Sequence, residues 1–180
     1  MKPKIYHIIH MDNLLSVIKD GYLYSDAYMR HTSKFYASIG MNRIKDRRLT
    51  MPIASHQSLY VGECVPFYFC PRSVMLYMLH IGNHPDIHYL EGQEPIVHLV
   101  ADMQRTVDWA DSNDLHWAFT TSNASSSYFD SYSDLNKLDE IDWEAVNSKY
   151  WRECREQKQA EFLVENCFAW SLIEEIGGAK

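Results

Sequence analysis

One junction constrains the fold of this chain more than any other. The polar run from Arg152 to Gln159 gives way at Glu161 to the apolar trio Phe162, Leu163 and Val164. Bulk and β-branching make the trio a buried strand. Glu161 then stands at the strand's mouth, where core meets solvent and where catalytic acids are common. A surface carboxylate that merely opens a strand is the plainer reading of these residues alone, so the rest of the chain has to decide.

Other segments give that strand partners. Ile5–His10 alternates loosely as a first strand, followed by a short helix over Leu14–Asp20. Asp12 or Asn13 is expected to cap that helix, Gly21 to end it, and Leu14, Leu15, Val17 and Ile18 to face inward. The aromatic strand in Val65–Pro71 is bracketed by prolines, which confine it to a sheet edge or to strand ends. Ser73 caps a helix over Val74–His80 that Gly82 and Asn83 end. Pro95–Val100 and Trp117–Thr121 read as strands, Asp102–Asp111 and Leu138–Trp151 as helices, Ser122–Ser127 as a loop, and Trp170–Ile176 as one further element. Helices and strands mix without regular alternation, so the expectation is an α+β fold. A length of 180 residues suits one domain with a proper core.

Composition narrows the function. Hydrophobic residues at 46% and aromatics at 13% describe a folded globule. The net charge of -7 argues against broad binding to nucleic acid or anionic membrane, so a polyanion would need a local basic patch. The densest basic cluster, Arg43-Ile44-Lys45-Asp46-Arg47-Arg48, lies in the weakly periodic segment 24–60 among Tyr24, Tyr28, Phe35, Tyr36 and Tyr60. It reads as a functional loop, as disorder, or as a solvated helix face; guanidinium forks suit phosphates. Arg72, at a helix start, is equally a phosphate ligand or an ordinary surface side chain. His7 is a lone strand histidine, more often structural than functional. Cys64, Cys70, Cys154 and Cys167 show no C-x-x-C spacing and read as free thiols of a reducing cytosol, with no metal site. There is no H-E-x-x-H, no G-x-G-x-x-G and no P-loop motif. The first residues lack the apolar run of a signal peptide and no stretch approaches a membrane span, so the expectation is a soluble cytoplasmic protein without membrane contact.

Five blocks, taken together and in order, resemble a known family. They are Ile5–Leu14, Ile44–Arg48, Val65–Ser73 with Met75-Leu76-Tyr77, Gly92–Ile96, and Lys158–Val164. The chain resembles the DarT family, the DNA ADP-ribosyltransferase toxins of DarT–DarG systems, over nearly its whole length. The resemblance implies a mono-ADP-ribosyltransferase fold, a split β-sheet with NAD in the cleft. It implies transfer of ADP-ribose from NAD to a base in single-stranded DNA, in the branch that modifies thymidine. It also implies a DarG-like macrodomain antitoxin as partner; a monomer is only the default expectation. Family members run on past the end of this chain, so the single ADP-ribosyltransferase domain over residues 1–180 is expected to lack its C-terminal end.

By position, the resemblance makes Glu161 and Arg48 catalytic. It assigns His7, Asn13 and Arg48 to NAD, and Tyr68, Arg72, Met75, Arg47 and Lys45 to DNA. Asn123 falls where some members carry a histidine that helps in the site. A carboxylate suits the positive charge that develops on a ribose as its bond to nicotinamide loosens, and thymine N3 must lose a proton before it attacks. Two rivals remain open at this stage. One is the same fold acting on guanosine, RNA, protein or a small molecule. The other is a non-catalytic single-stranded nucleic-acid binder built on aromatics and arginines.

Overall fold

The strand that follows Glu161 sits well inside a sheet. The structure, a computed structural model, describes residues 3–34, 37–82 and 84–178; Phe35, Tyr36 and Asn83, named above for their sequence context, lie outside these. The strands are β1 (Lys4–His10), β2 (Tyr22–Tyr24), β3 (Cys64–Tyr68), β4 (Ile96–Asp102), β5 (Trp117–Asn123), β6 (Ser131–Tyr132), β7 (Ala160–Glu165), β8 (Cys167–Ala169) and β9 (Ile173–Gly178). Among the described residues they form one antiparallel sheet in the order β6-β5-β7-β3-β1-β4-β9, and a small one of β2 and β8. The α+β expectation holds.

The place of β3 overturns an expectation. Its prolines pointed to an edge or to strand ends, yet β3 runs through the middle of the sheet with Pro66 inside it. The register explains how. On one side β3 pairs with β7 from Cys64↔Glu165 to Tyr68↔Glu161. On the other it meets β1 at a single pair, Tyr6↔Tyr68. The backbone N–H and C=O of an antiparallel residue point the same way. The Pro66 carbonyl points to β1, where it takes a hydrogen bond of 2.7 Å from His7 Nδ1. The N–H that proline lacks would face that same seam, so the sheet opens between β1 and β3 where no ladder can form. The rule about proline and edges is obeyed at an edge inside the sheet.

The two faces are covered differently. On one, Ile5, Phe67, Leu99, Phe119 and Phe162 form a core that crosses the seam, backed by Met103 and Val107 of α5 (Met103–Ser112) and by Phe168. On the other, Met51, Ile53 and Val61 cover Ala118 and Leu163, while Leu76 and Leu79 of α4 (Val74–Ile81) cover Ile8 and Ile96. The seam between these two clusters stays open, and a cleft of about 630 Å³ lies along it.

The helices show where local signals suffice. Ser73 caps α4 as expected, accepting from Leu76 N, and Gly21 and Gly82 end their helices at positive φ; Asp102, read as the first residue of a helix, is instead the cap of α5 and accepts from Arg105 N. In α1 (Leu14–Asp20), however, only Val17 is buried, and Leu15 and Ile18 are 77% and 48% exposed. A two-turn helix covers one narrow strip, and Leu15 lies across the axis from Val17. Segment 24–60 is not a loop throughout: it holds α2 (Asp26–His31) and α3 (Asn42–Arg48). Neither buries a residue, so neither carries apolar periodicity; Arg30–Asp46 and Lys45–Asp26 ion pairs tie them together instead. The expected helix over Leu138–Trp151 is broken into a 3-10 turn, Leu135–Glu140, and the short α6 (Trp143–Asn147), because Asp142 turns its carboxylate back onto Ala145 N and starts a new helix.

Phe162 is fully buried and packs against Phe69 and Trp117. Phe162→Ala is expected to lower unfolding free energy by about 3–5 kcal/mol in denaturant titration; a loss under ~1 kcal/mol would show that the core does not run through this strand.

Candidate active site

Glu161 pairs across the backbone with Tyr68, so the two side chains project from the same face of the sheet, the one that carries the open seam. The carboxylate is nearly inaccessible, and what buries it is Arg48, at the last turn of α3. The guanidinium and carboxylate meet as a two-pronged fork, Nη1 to Oε1 at 3.0 Å and Nη2 to Oε2 at 2.8 Å. Two further groups fix the pair. Ala124 N donates to Oε1 at 3.3 Å, and Arg48 Nη1 reaches Ser125 Oγ at 3.4 Å. The Glu161 backbone N–H itself donates to Thr120 Oγ1 at 3.0 Å, in the stretch where the β5–β7 register breaks. Burial works against the Arg48 charge, but the Glu161 carboxylate outweighs it and the pKa ends above its usual value. The guanidinium is a permanent cation whose direction is set by a carboxylate.

The cleft begins beside this pair. Tyr68 and Met75 line it, with His7, Ile8 and Pro66 along the seam and Tyr24 and Lys45 toward α2 and α3. Burial raises the Tyr68 pKa, and the charge of Glu161 adds to it, so the phenol keeps its proton. Burial lowers the His7 pKa, opposed by its bond to the Pro66 carbonyl. A carbonyl only accepts, so the neutral ring carries its proton on Nδ1. Tyr24 stacks on Tyr28 at 4.3 Å, with Lys34 Nζ 4.6 Å from the Tyr24 ring, giving the cleft an aromatic, cationic end that sequence reasoning did not single out.

The remaining sequence candidates divide. Lys45 lines the cleft but its ammonium is held by Asp26 at 2.8 Å. Arg47 is exposed and donates to Ser127 Oγ at 3.1 Å, near the Arg48 contact to Ser125. Arg72 is exposed at the start of α4, without an ion pair among the described residues. Arg43 lies away from the group, tied to Asp86. Asn13 does not cap α1; its amide clamps the backbone of Ala37, donating to Ala37 O at 2.9 Å and accepting from Ala37 N at 2.8 Å. It borders the cleft and holds the 37–40 stretch over it. Asn123, at the end of β5, accepts from Ser125 N and contacts Gln159, so it shapes the loop behind Glu161. Thr120, Ala124 and Ser125 went unnoticed in the sequence; only the serine-rich composition of 122–127 hinted at them.

Among the described residues no cluster of acidic, histidine or cysteine side chains could hold a metal, and no helix is long and apolar enough to cross a membrane. The arrangement is a rigid buried carboxylate beside a fixed cation, at the edge of an open cleft. That is suited to stabilising positive charge on a bound sugar, with the arginine near any anion that forms opposite it.

Comparison with known proteins gives this geometry a context. The family model described as "ssDNA thymidine ADP-ribosyltransferase, DarT" matches residues 6–180. A protein of Thermus aquaticus named DNA ADP-ribosyl transferase is 37% identical over 175 residues, covering 96% of this chain and 73% of its own. Among solved structures, Thermus sp. 2.9 DarT in complex with ADP-ribosylated ssDNA is similar over 100% of this chain and 86% of that one, at 36% identity and a TM-score of 0.86. Thermus sp. 2.9 DarT in complex with NAD+ is similar over 97% and 81%, at 36% identity and a TM-score of 0.81.

Two tests follow from the geometry. Removing either partner of the buried fork leaves the other's charge stranded, so Arg48→Ala and Glu161→Ala should each cost about 3–5 kcal/mol. The double variant should cost much less than their sum; a simple sum in denaturant titration would show that the pair is not coupled. The second concerns acid. Burial also lowers the His98 pKa, opposed by its bond to the Pro71 carbonyl. The unfolded chain takes up protons at His7 and His98 near the ordinary value of 6.5 while the folded chain resists. Stability is therefore full above that value and falls as pH drops below it. His98→Gln, away from the cleft, should flatten the fall in unfolding midpoint; an unchanged slope would refute the assignment.

Proposed function

The chain belongs to the DarT family of ssDNA thymidine ADP-ribosyltransferases, and from that premise we propose that it transfers ADP-ribose from NAD to a thymidine base in single-stranded DNA, releasing nicotinamide. The observation that carries this reading is the Arg48–Glu161 fork, set on the open seam of the sheet and bordered by a cleft of about 630 Å³. That size falls in the range of roughly 300–1,000 Å³ usual for small-molecule sites. The end of the cleft at Tyr24, which stacks on Tyr28, and Lys34, which Asp20 holds, suits a dinucleotide with rings and phosphates. The relatives bound to NAD+ and to ADP-ribosylated ssDNA support donor and acceptor.

In this reading Glu161 faces the ribose and stabilises the positive charge that grows as the bond to nicotinamide breaks and the leaving group takes the electron pair. The same carboxylate accepts the proton that thymine N3 gives up as N3 bonds to the ribose carbon. Arg48 orients the carboxylate and favours the base anion, and His7, neutral and fixed by Pro66, positions the donor. Asn13 supports the wall of the donor cleft through Ala37. Tyr68, Met75 and Arg72 meet the DNA, with Lys45 and Arg47 above it. The base must leave its stack to reach Glu161, which favours single strands. The chain forms one ADP-ribosyltransferase domain without its C-terminal end, acts as a toxin and is countered by a DarG-like macrodomain partner, as family membership supports; a monomer in the cytoplasm is the accompanying proposal.

The test is intact mass of a thymidine-containing single-stranded oligonucleotide after incubation with protein and NAD, beside a thymidine-free control. One added ADP-ribose on the first alone is expected, slowed about a hundredfold or more by Glu161→Gln. Addition to both removes the thymidine assignment. Addition to neither, by a protein with a cooperative unfolding transition, removes DNA as acceptor.

A further inference from the structure

Opposite Glu161 the sheet is irregular in one strand only. Strand β5 pairs with β7 at Phe119↔Phe162 and again at Asn123↔Ala160. Between those pairs β5 runs through Thr120, Thr121 and Ser122, while β7 passes through Glu161 alone. The extra residues make a bulge at the position of the acid, a place where bulges commonly re-aim side chains. The Glu161 backbone N–H points into it, and the Thr120 hydroxyl takes that N–H at 3.0 Å in place of a ladder carbonyl. Thr120 is wholly buried, and its own hydroxyl proton goes to Ser122 O at 2.7 Å. The lone pairs of Oγ1 are thereby turned toward Glu161.

The bend that Thr120 closes aims the next residues at the carboxylate. The Asn123 side chain accepts from Ser125 N at 2.8 Å, a local turn that leaves the intervening Ala124 N–H to reach Glu161 Oε1 at 3.3 Å. Oε1 therefore takes two donors, Ala124 N and Arg48 Nη1, whereas among the described residues Oε2 takes Arg48 Nη2 alone. An ionised carboxylate oxygen accepts about two hydrogen bonds, so Oε1 is saturated and Oε2 keeps a lone pair. Valine has the shape of threonine and suits a strand as well, so packing alone gives no reason for a hydroxyl at this buried position.

We infer that Thr120 is a positioning residue for the transfer. Its hydroxyl holds the bulge that saturates Oε1 and leaves the free lone pair of Oε2 for the ribose and for the proton that thymine N3 releases. This rests on the reading above and adds a division of work between the two oxygens of one carboxylate.

The experiment is steady-state transfer to a thymidine-containing single strand by wild type, Thr120→Val, Thr120→Ser and, as a control in the same strand, Thr121→Val. Amide hydrogen exchange at Glu161 is followed by NMR in each. Thr120→Val should lower kcat roughly a hundredfold with KM for NAD unchanged, and its Glu161 amide should exchange about tenfold faster. Thr120→Ser restores the oxygen and should recover most of kcat and the slow exchange, and Thr121→Val should match wild type in both. A wild-type kcat in Thr120→Val, a serine variant as slow as the valine one, or a raised KM at unchanged kcat each overturns the assignment. If wild type transfers nothing to DNA, the reading above fails, and the exchange rates still decide the bond: equal rates at Glu161 in wild type and Thr120→Val refute it.

Discussion

Everything near the site is arranged around one costly act, the burial of a carboxylate and a guanidinium together. Neither Glu161 nor Arg48 could be taken out of water alone, since an unpaired buried charge costs several kcal/mol. Their fork lets β7 carry an acid at the edge of its core, and it pins α3, which has no fully buried apolar residue, against the sheet. Such a pair contributes little net stability compared with apolar residues of the same volume. What it supplies is position: both carboxylate oxygens are fixed by Arg48, and Ala124 N adds a third bond. A carboxylate held this way needs no reorganisation when charge develops beside it.

The sheet provides the setting by being continuous on one face and interrupted on the other. The core of Ile5, Phe67 and Phe162 crosses the seam without a break, so the two halves cannot drift apart. Opposite, the separate covers around Ile53 and Leu79 leave room for a ligand between them. Stability and access are thus assigned to different faces of the same strands, and residues alternate between them. Phe162 serves the core and Glu161 the site, one residue apart.

What was legible in the sequence was local. Ser73, Gly21 and Gly82 announce helix ends because a cap is a bond between near neighbours. The strand at Phe162 and the acid at its mouth were readable for the same reason. The partner of that acid was not: Arg48 lies 113 residues away and was placed only by family resemblance. Asn13 looked like a cap and instead clamps Ala37, since an amide serves either purpose and only the loop's path decides. Leu15 and Ile18 looked buried because a seven-residue window carries too few turns to define a face. The helix α2 was hidden, and α3 stood only as one of three open readings, because ion pairs and not an apolar stripe tie them together.

Pro66 has a consequence for how the molecule comes to be. A collapsing chain heals gaps in a sheet by adding rungs, and two strands lying side by side ordinarily zip together. Here the rung cannot be made, for the donor does not exist and the acceptor is spoken for by an imidazole. The hollow is therefore written into covalent structure.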